Sequence, residues 1–116
     1  MQVDDFIAHP RDFPLRCRQV WRGGEELRDE QGDKGLSFYS RRRFRAGARI
    51  RVRIPLRSAA HTLDGRVVLV RQLEQGYEIG IWFNNQDDAD RARLIERICA
   101  SELRLQRPTG GNGSMG

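Results

Sequence analysis

The sequence predicts a mainly β fold, a set of short strands closing as a small barrel, followed by one C-terminal α-helix. Three observations predict it. Apolar and polar residues alternate with a period of two up to Phe83, the spacing of strands with one wet face. Turn residues separate these runs at short intervals. After Phe83 the apolar residues switch to helical spacing. Short β elements at this spacing close best as a barrel, and the barrel is the only surface against which the helix can bury its stripe.

The elements follow in order. Residues 1–14 form an N-terminal arm that Pro10 and Pro14 keep extended. Leu15, Cys17, Gln19 and Trp21 then alternate with Arg16, Arg18 and Val20 as a strand. Arg22-Gly23-Gly24 is a turn, Glu25 to Asp29 a second strand, and Gln31 to Gly35 a tight loop. Leu36 to Ser40 is a strand, Arg41 to Arg45 a charge run around Phe44, and Ala46-Gly47 a turn. In the next strand Ile50, Val52, Ile54 and Leu56 line one face, and Arg49, Arg51 and Arg53 line the other. A one-residue slip would bury those arginines, so the register is tightly constrained. Pro55 cannot donate a ladder hydrogen bond and marks an edge or the strand's end.

Ser58 to Thr62 reads as a loop. Arg66 to Leu73 and Tyr77 to Phe83 form a hairpin around Glu74-Gln75-Gly76, and Gly80 signals a bulge or a close backbone approach. Asn84 to Asp90 supplies the caps and carboxylates of a helix N-terminus, so Asp87, Asp88 and Asp90 belong to that terminus rather than to a metal site. The helix covers residues near 87–105, with an apolar stripe of Leu94, Ile95, Ile98, Cys99 and Leu103 and with Glu102 off the stripe. Arg104 and Arg107 suit its C-terminal dipole, and Pro108 ends it. Residues 15–107 therefore form one barrel-plus-helix unit, and 108–116 a flexible Gly-rich tail. The expected core is Leu36, Phe38, Ile50, Val52, Ile54, Val67, Leu69, Ile79, Ile81 and Phe83, with Leu94, Ile95 and Ile98 packed on it.

A chain of 116 residues fits one domain with a modest core. No apolar run is long enough to cross a bilayer, and the acidic start MQVDDFIAHP lacks the features of a secretory signal. Cys17 and Cys99 have no metal-ligand spacing and read as buried free thiols. A reducing, cytoplasmic setting fits. No enzyme constellation stands out: His9 and His61 have neither nucleophile nor motif beside them. No cofactor and no metal are expected.

The net charge is +5, and all basic residues but Lys34 are arginine, the side chain that grips phosphates and carboxylates as a fork. Eight of them fall between Arg41 and Arg57, with no acid between Asp33 and Asp64. Arg41, Arg42, Arg43, Arg45, Arg49, Arg51 and Arg53 are thus a candidate partner surface, for a protein or for nucleic acid. A strand face of alternating arginine is also how a barrel keeps its outside soluble.

The order GLSF, AGARIRVRIPL, LDGRVVLV, YEIGIWF, then an acidic turn and a helix, resembles the PilZ domain family. HPRDFPL (His9 to Leu15) also fits that family's leader. The resemblance spans roughly residues 4–105 and implies an antiparallel six-stranded PilZ-like barrel with a C-terminal helix. It further implies a role in bacterial cyclic di-GMP signalling. The family grips this nucleotide through RxxxR on the arm and (D/N)xSxxG in the loop before the GLSF strand. Aligned on HPRDFPL, the arginine positions fall on Asp4 and Ala8; anchored on Gly35, the acid falls on Glu30 and the serine on Gly32. Each lost charge-assisted bond to a phosphate removes about 1.5–3 kcal/mol. The reading is a regulatory module that binds a protein partner, with weak or absent nucleotide binding. The alternatives are a cyclic di-GMP receptor using Arg11, Arg16, Arg18 or Arg22 as substitute phosphate contacts, and a small nucleic-acid-binding barrel.

Overall fold

The computed structural model describes residues 5–20 and 32–106. Six strands form one sheet: β1 (Phe6–Ala8), β2 (Arg16–Gln19), β3 (Gly35–Ser40), β4 (Arg49–Pro55), β5 (Ala60–Gln72) and β6 (Tyr77–Phe83), followed by α1 (Gln86–Gln106). The sheet order is β1-β3-β6-β5-β4-β2. The expected Glu25–Asp29 strand, Trp21, the Arg22 turn, Arg107 and the 108–116 tail lie outside the described residues.

Two features of the expected barrel are corrected. The sheet is not closed: β1 and β2 stand at opposite ends of the order. Nor is it purely antiparallel, because β1 runs parallel to β3, with Phe6 opposite Gly35 and Ala8 opposite Ser37. The terminal strands are only three and four residues long, too short to build a full closing seam. The helix packs against β1, β5 and β6.

The alternation places the core as the sequence requires. Leu36, Ile50, Val52, Ile54, Ile79, Ile81 and Phe83 are fully buried, and Phe38 and Val67 nearly so. Pro55 ends β4 beyond the reach of β2, whose pairing stops at Arg53. The Glu74–Gly76 turn forms with Gly76 at φ +92°.

Leu69 departs from expectation, at 37% exposed. A register shift in β5 between Val67 and Leu69 inserts one extra residue. The shift turns Leu69 outward and lets Val70 pack on the core in its place. Gly80 sits opposite, and a Cβ there would meet the Leu69 and Phe6 side chains at 2.9 Å. The Ser58–Thr62 loop is also shorter than expected, since β5 already starts at Ala60.

On α1 the buried stripe is Ala89, Ala92, Ile95, Cys99 and, unexpectedly, Glu96 and Glu102, while Leu94 is 57% exposed. The reason is polar anchoring. Glu102 accepts the Arg57 backbone N–H at 3.0 Å, and Glu96 meets His9. These two contacts rotate the stripe away from Leu94. Asn85 caps the helix, its side chain accepting the Asp88 N–H at 2.8 Å.

Candidate functional site

The parallel pairing of β1 with β3 brings the arm beside the loop glycine, as a nucleotide site on these elements would need. Gly35 is the one motif position retained. A side chain there would overlap the Phe6 ring and the Ile81 carbonyl. Ala8, at the second arginine position, lies at the end of β1 and is exposed. It borders a concavity of about 360 Å³ with Arg11, Ser37, Tyr39, Arg71 and Glu78. The charges there are already engaged: Arg71 pairs with Glu78, and the Arg11 guanidinium stacks 4.1 Å above the Tyr39 ring. Asp4 and Glu30 lie outside the described residues.

The loop carrying Gly32 is clamped. The Gly32 N–H donates to the Phe83 carbonyl at 3.2 Å, and its own carbonyl accepts the Trp82 indole N–H at 2.9 Å. A Cβ at Gly32 would stand 2.6 Å from the Asn85 carbonyl and 3.0 Å from Ala89. The serine of the family motif therefore has no room unless the start of α1 moves. Next to it, Asp33 accepts two bonds from Arg93 at 2.9 and 2.8 Å and one from Gln86 at 2.9 Å. These bonds, from Arg93 first and Gln86 second, hold the Asp33 carboxyl below the ordinary carboxylate range.

Of the substitute arginines among the described residues, Arg11 stands at the β1 edge. Arg16 and Arg18 belong to β2 at the other edge, and Arg22 lies outside the described residues. There they join part of the candidate partner surface. Arg16 is directly opposite Arg53, Arg18 opposite Arg51, and Arg49 opposite Arg66. Directly paired residues share a face, so six arginines crowd the outer side of β2, β4 and β5. Asp64 is the acid placed among them, binding Arg51 through two contacts at 2.9 and 3.1 Å. This pairing raises the pKa of Arg51 further. Arg66 Nε is buried with no hydrogen-bond partner among the described residues. Arg16, Arg18, Arg51, Arg53, Cys17 and Thr62 line a concavity of about 470 Å³. Arg41, Arg42, Arg43 and Arg45 are exposed, but on the β3–β4 connection rather than on this strand face. Arg42 lies 5.3 Å from the Phe44 ring. Seven arginines taken as one surface in the sequence thus separate into a loop group and a strand group.

One cluster escaped the sequence reading. His9 is 7% exposed. Its Nε2–H donates to the Phe13 carbonyl at 3.0 Å, and its Nδ1 lies 2.7 Å from Glu96 Oε2. Cys99 stands one turn further along α1, and burial, then the charges of Glu96 and Glu102, push its thiol up to about 12. The available signal was the i, i+3 spacing of Glu96 and Cys99. Nothing in sequence joins it to His9, 87 residues away. Cys17 and Cys99 are free thiols, Cys17 half-buried and Cys99 buried. His61 is half-buried in β5, and Asp87 and Asp88 occupy the first turn of α1. Among the described residues, no helix is long and apolar enough to cross a membrane.

Comparison with known proteins agrees with this architecture. No curated protein and no solved structure matches the chain. The family model of the PilZ domain matches residues 32–101, from the clamped loop through most of α1. That span exceeds half of the chain and includes the four longest strands, so the protein belongs to the PilZ domain family.

Proposed function

We propose that this chain is a regulatory module that acts by docking a protein partner on its arginine face, with direct cyclic di-GMP binding weak or absent. PilZ domains are cyclic di-GMP-related signalling modules, binding domains rather than enzymes. The proposed setting is the bacterial cytoplasm, the usual one for the family. The observation that carries the reading is the clamped loop. The space for the motif serine at Gly32 is taken by the start of α1, and Asp33 is engaged by Arg93 and Gln86. Ala8 adds no phosphate contact. The arginine face, by contrast, offers forked donors, with Asp64 bound to Arg51 among the described residues, which suits an acidic protein segment and fast, salt-sensitive association.

Two titrations test this. Calorimetry with cyclic di-GMP should give no saturable isotherm at low micromolar nucleotide. Anisotropy with a labelled Glu/Asp-rich peptide should give saturable binding that weakens with salt. That binding should be lost in an Arg16→Ala, Arg18→Ala, Arg53→Ala variant that keeps its melting temperature. A tight cyclic di-GMP isotherm overturns the reading. Binding of single-stranded RNA, stronger than the peptide and with a steep salt slope, transfers the face to nucleic acid.

A further inference from the structure

We propose that His9, Glu96 and Cys99 form a site for a borderline-soft divalent metal ion of the Zn²⁺ class, clipping the N-terminal segment to α1. One ligand atom from each residue lies within 4.8 Å of the others. All three residues are at least nine-tenths buried, at 7%, 8% and 0% exposure. Glu96 and Cys99, three apart on α1, face the core together, and His9 reaches them from just beyond β1.

The hydrogen bonds around the cluster match a ligating arrangement. A metal-bound imidazole commonly donates its outer N–H to a backbone carbonyl, which fixes the tautomer and turns the other nitrogen to the ion. His9 does this with Nε2–H on the Phe13 carbonyl, leaving Nδ1 facing Glu96. The second Glu96 oxygen, Oε1, is buried with no hydrogen-bond partner among the described residues. A cation held between the three side chains would engage both carboxylate oxygens. The donor set is imidazole nitrogen, thiolate sulfur and carboxylate oxygen. That mixture fits Zn²⁺ and disfavours Ca²⁺ and Mg²⁺, which take oxygen ligands. On binding, Cys99 loses its S–H proton and the proton between His9 and Glu96 leaves with it, both to solvent.

The test uses the full chain, stripped with chelator under a reductant. One equivalent of Co²⁺ should produce a thiolate-to-cobalt charge-transfer band in the near ultraviolet, and Zn²⁺ should abolish it by displacement. Cys99→Ser should remove the band and weaken Zn²⁺ binding at least about 100-fold, the upper end of what loss of a mere outer-shell partner costs. Cys17→Ser should keep both. Cys99→Ser carries the test because it leaves the His9–Glu96 pair in place, whereas His9→Ala risks unfolding the chain. No cobalt band in the unmodified protein, or a band that survives Cys99→Ser, overturns the proposal.

Discussion

At one edge of the sheet, β1 is tied down from several sides; at the other, β2 is held by strand pairing and carries like charges. The β1 edge is fastened through the parallel ladder to β3, through His9 to Glu96, and through the neighbouring Asp33 loop to Arg93. Around it the charges are paired or stacked. Among the described residues, the β2 edge packs no comparable set of helix contacts and sets Arg16 against Arg53 and Arg18 against Arg51. Like charges directly opposite each other are destabilising. One edge is a joint of paired charges and hydrogen bonds, while the other sets arginines directly opposite one another.

The most damaging change to this contrast is at the joint. Glu96→Ala should leave His9 buried without its partner, at a cost of about 3–5 kcal/mol. Urea unfolding would show it as a lowered midpoint. An unchanged midpoint would mean that the β1 edge is not anchored through this pair.

Next is Gly32→Ser, which restores a family residue where α1 leaves no space. Overpacking of this kind costs about 1–3 kcal/mol. The melting temperature should fall, and calorimetry should still show no cyclic di-GMP isotherm. A stable variant that gains nucleotide binding would show that the loop is only loosely clamped.

A smaller effect, of opposite sign, belongs to the β2 edge. Arg53→Thr should raise stability by about 0.2–1 kcal/mol, because it removes a like-charge pair with Arg16. Acidic-peptide binding should fall in the same variant. Gained stability with lost binding is the signature of a face kept for a partner; lost stability would make the arginines structural.

The smallest effect is on pH. The Asp33 carboxyl is held low in the folded chain, so its contribution is present above the ordinary carboxylate range and is lost as pH falls through the lowered value. Asp33→Asn should flatten this part of the acid limb of a melting-temperature profile. The difference should be slight, because exposed pairs contribute little.

The sequence by itself determined β2, β3, β4 and β6, the second half of β5, and the helix; β1 lay unread within the extended arm. Period-two alternation fixes which side of β4 is apolar, since burying Arg49, Arg51 and Arg53 is prohibitive. It also determined the family, because GLSF through YEIGIWF keep their order, and it separated Ala8 and Gly32 from the motif residues expected there. Only the tertiary structure decided the rest. Gly80 signalled a bulge or close approach in the sequence, but that the extra residue sits in β5 and turns Leu69 outward was decided by pairing across the hairpin. The stripe of α1 includes Glu96 and Glu102 because His9 and the Arg57 N–H supply hydrogen bonds from remote segments. Periodicity counts a glutamate as polar and cannot know that its partner waits in the core. The joining of Arg16 and Arg18 to Arg51 and Arg53 is likewise a matter of strand pairing. Long-range contacts of this kind leave no local trace, because the free energy that selects them arises only when the sheet has assembled.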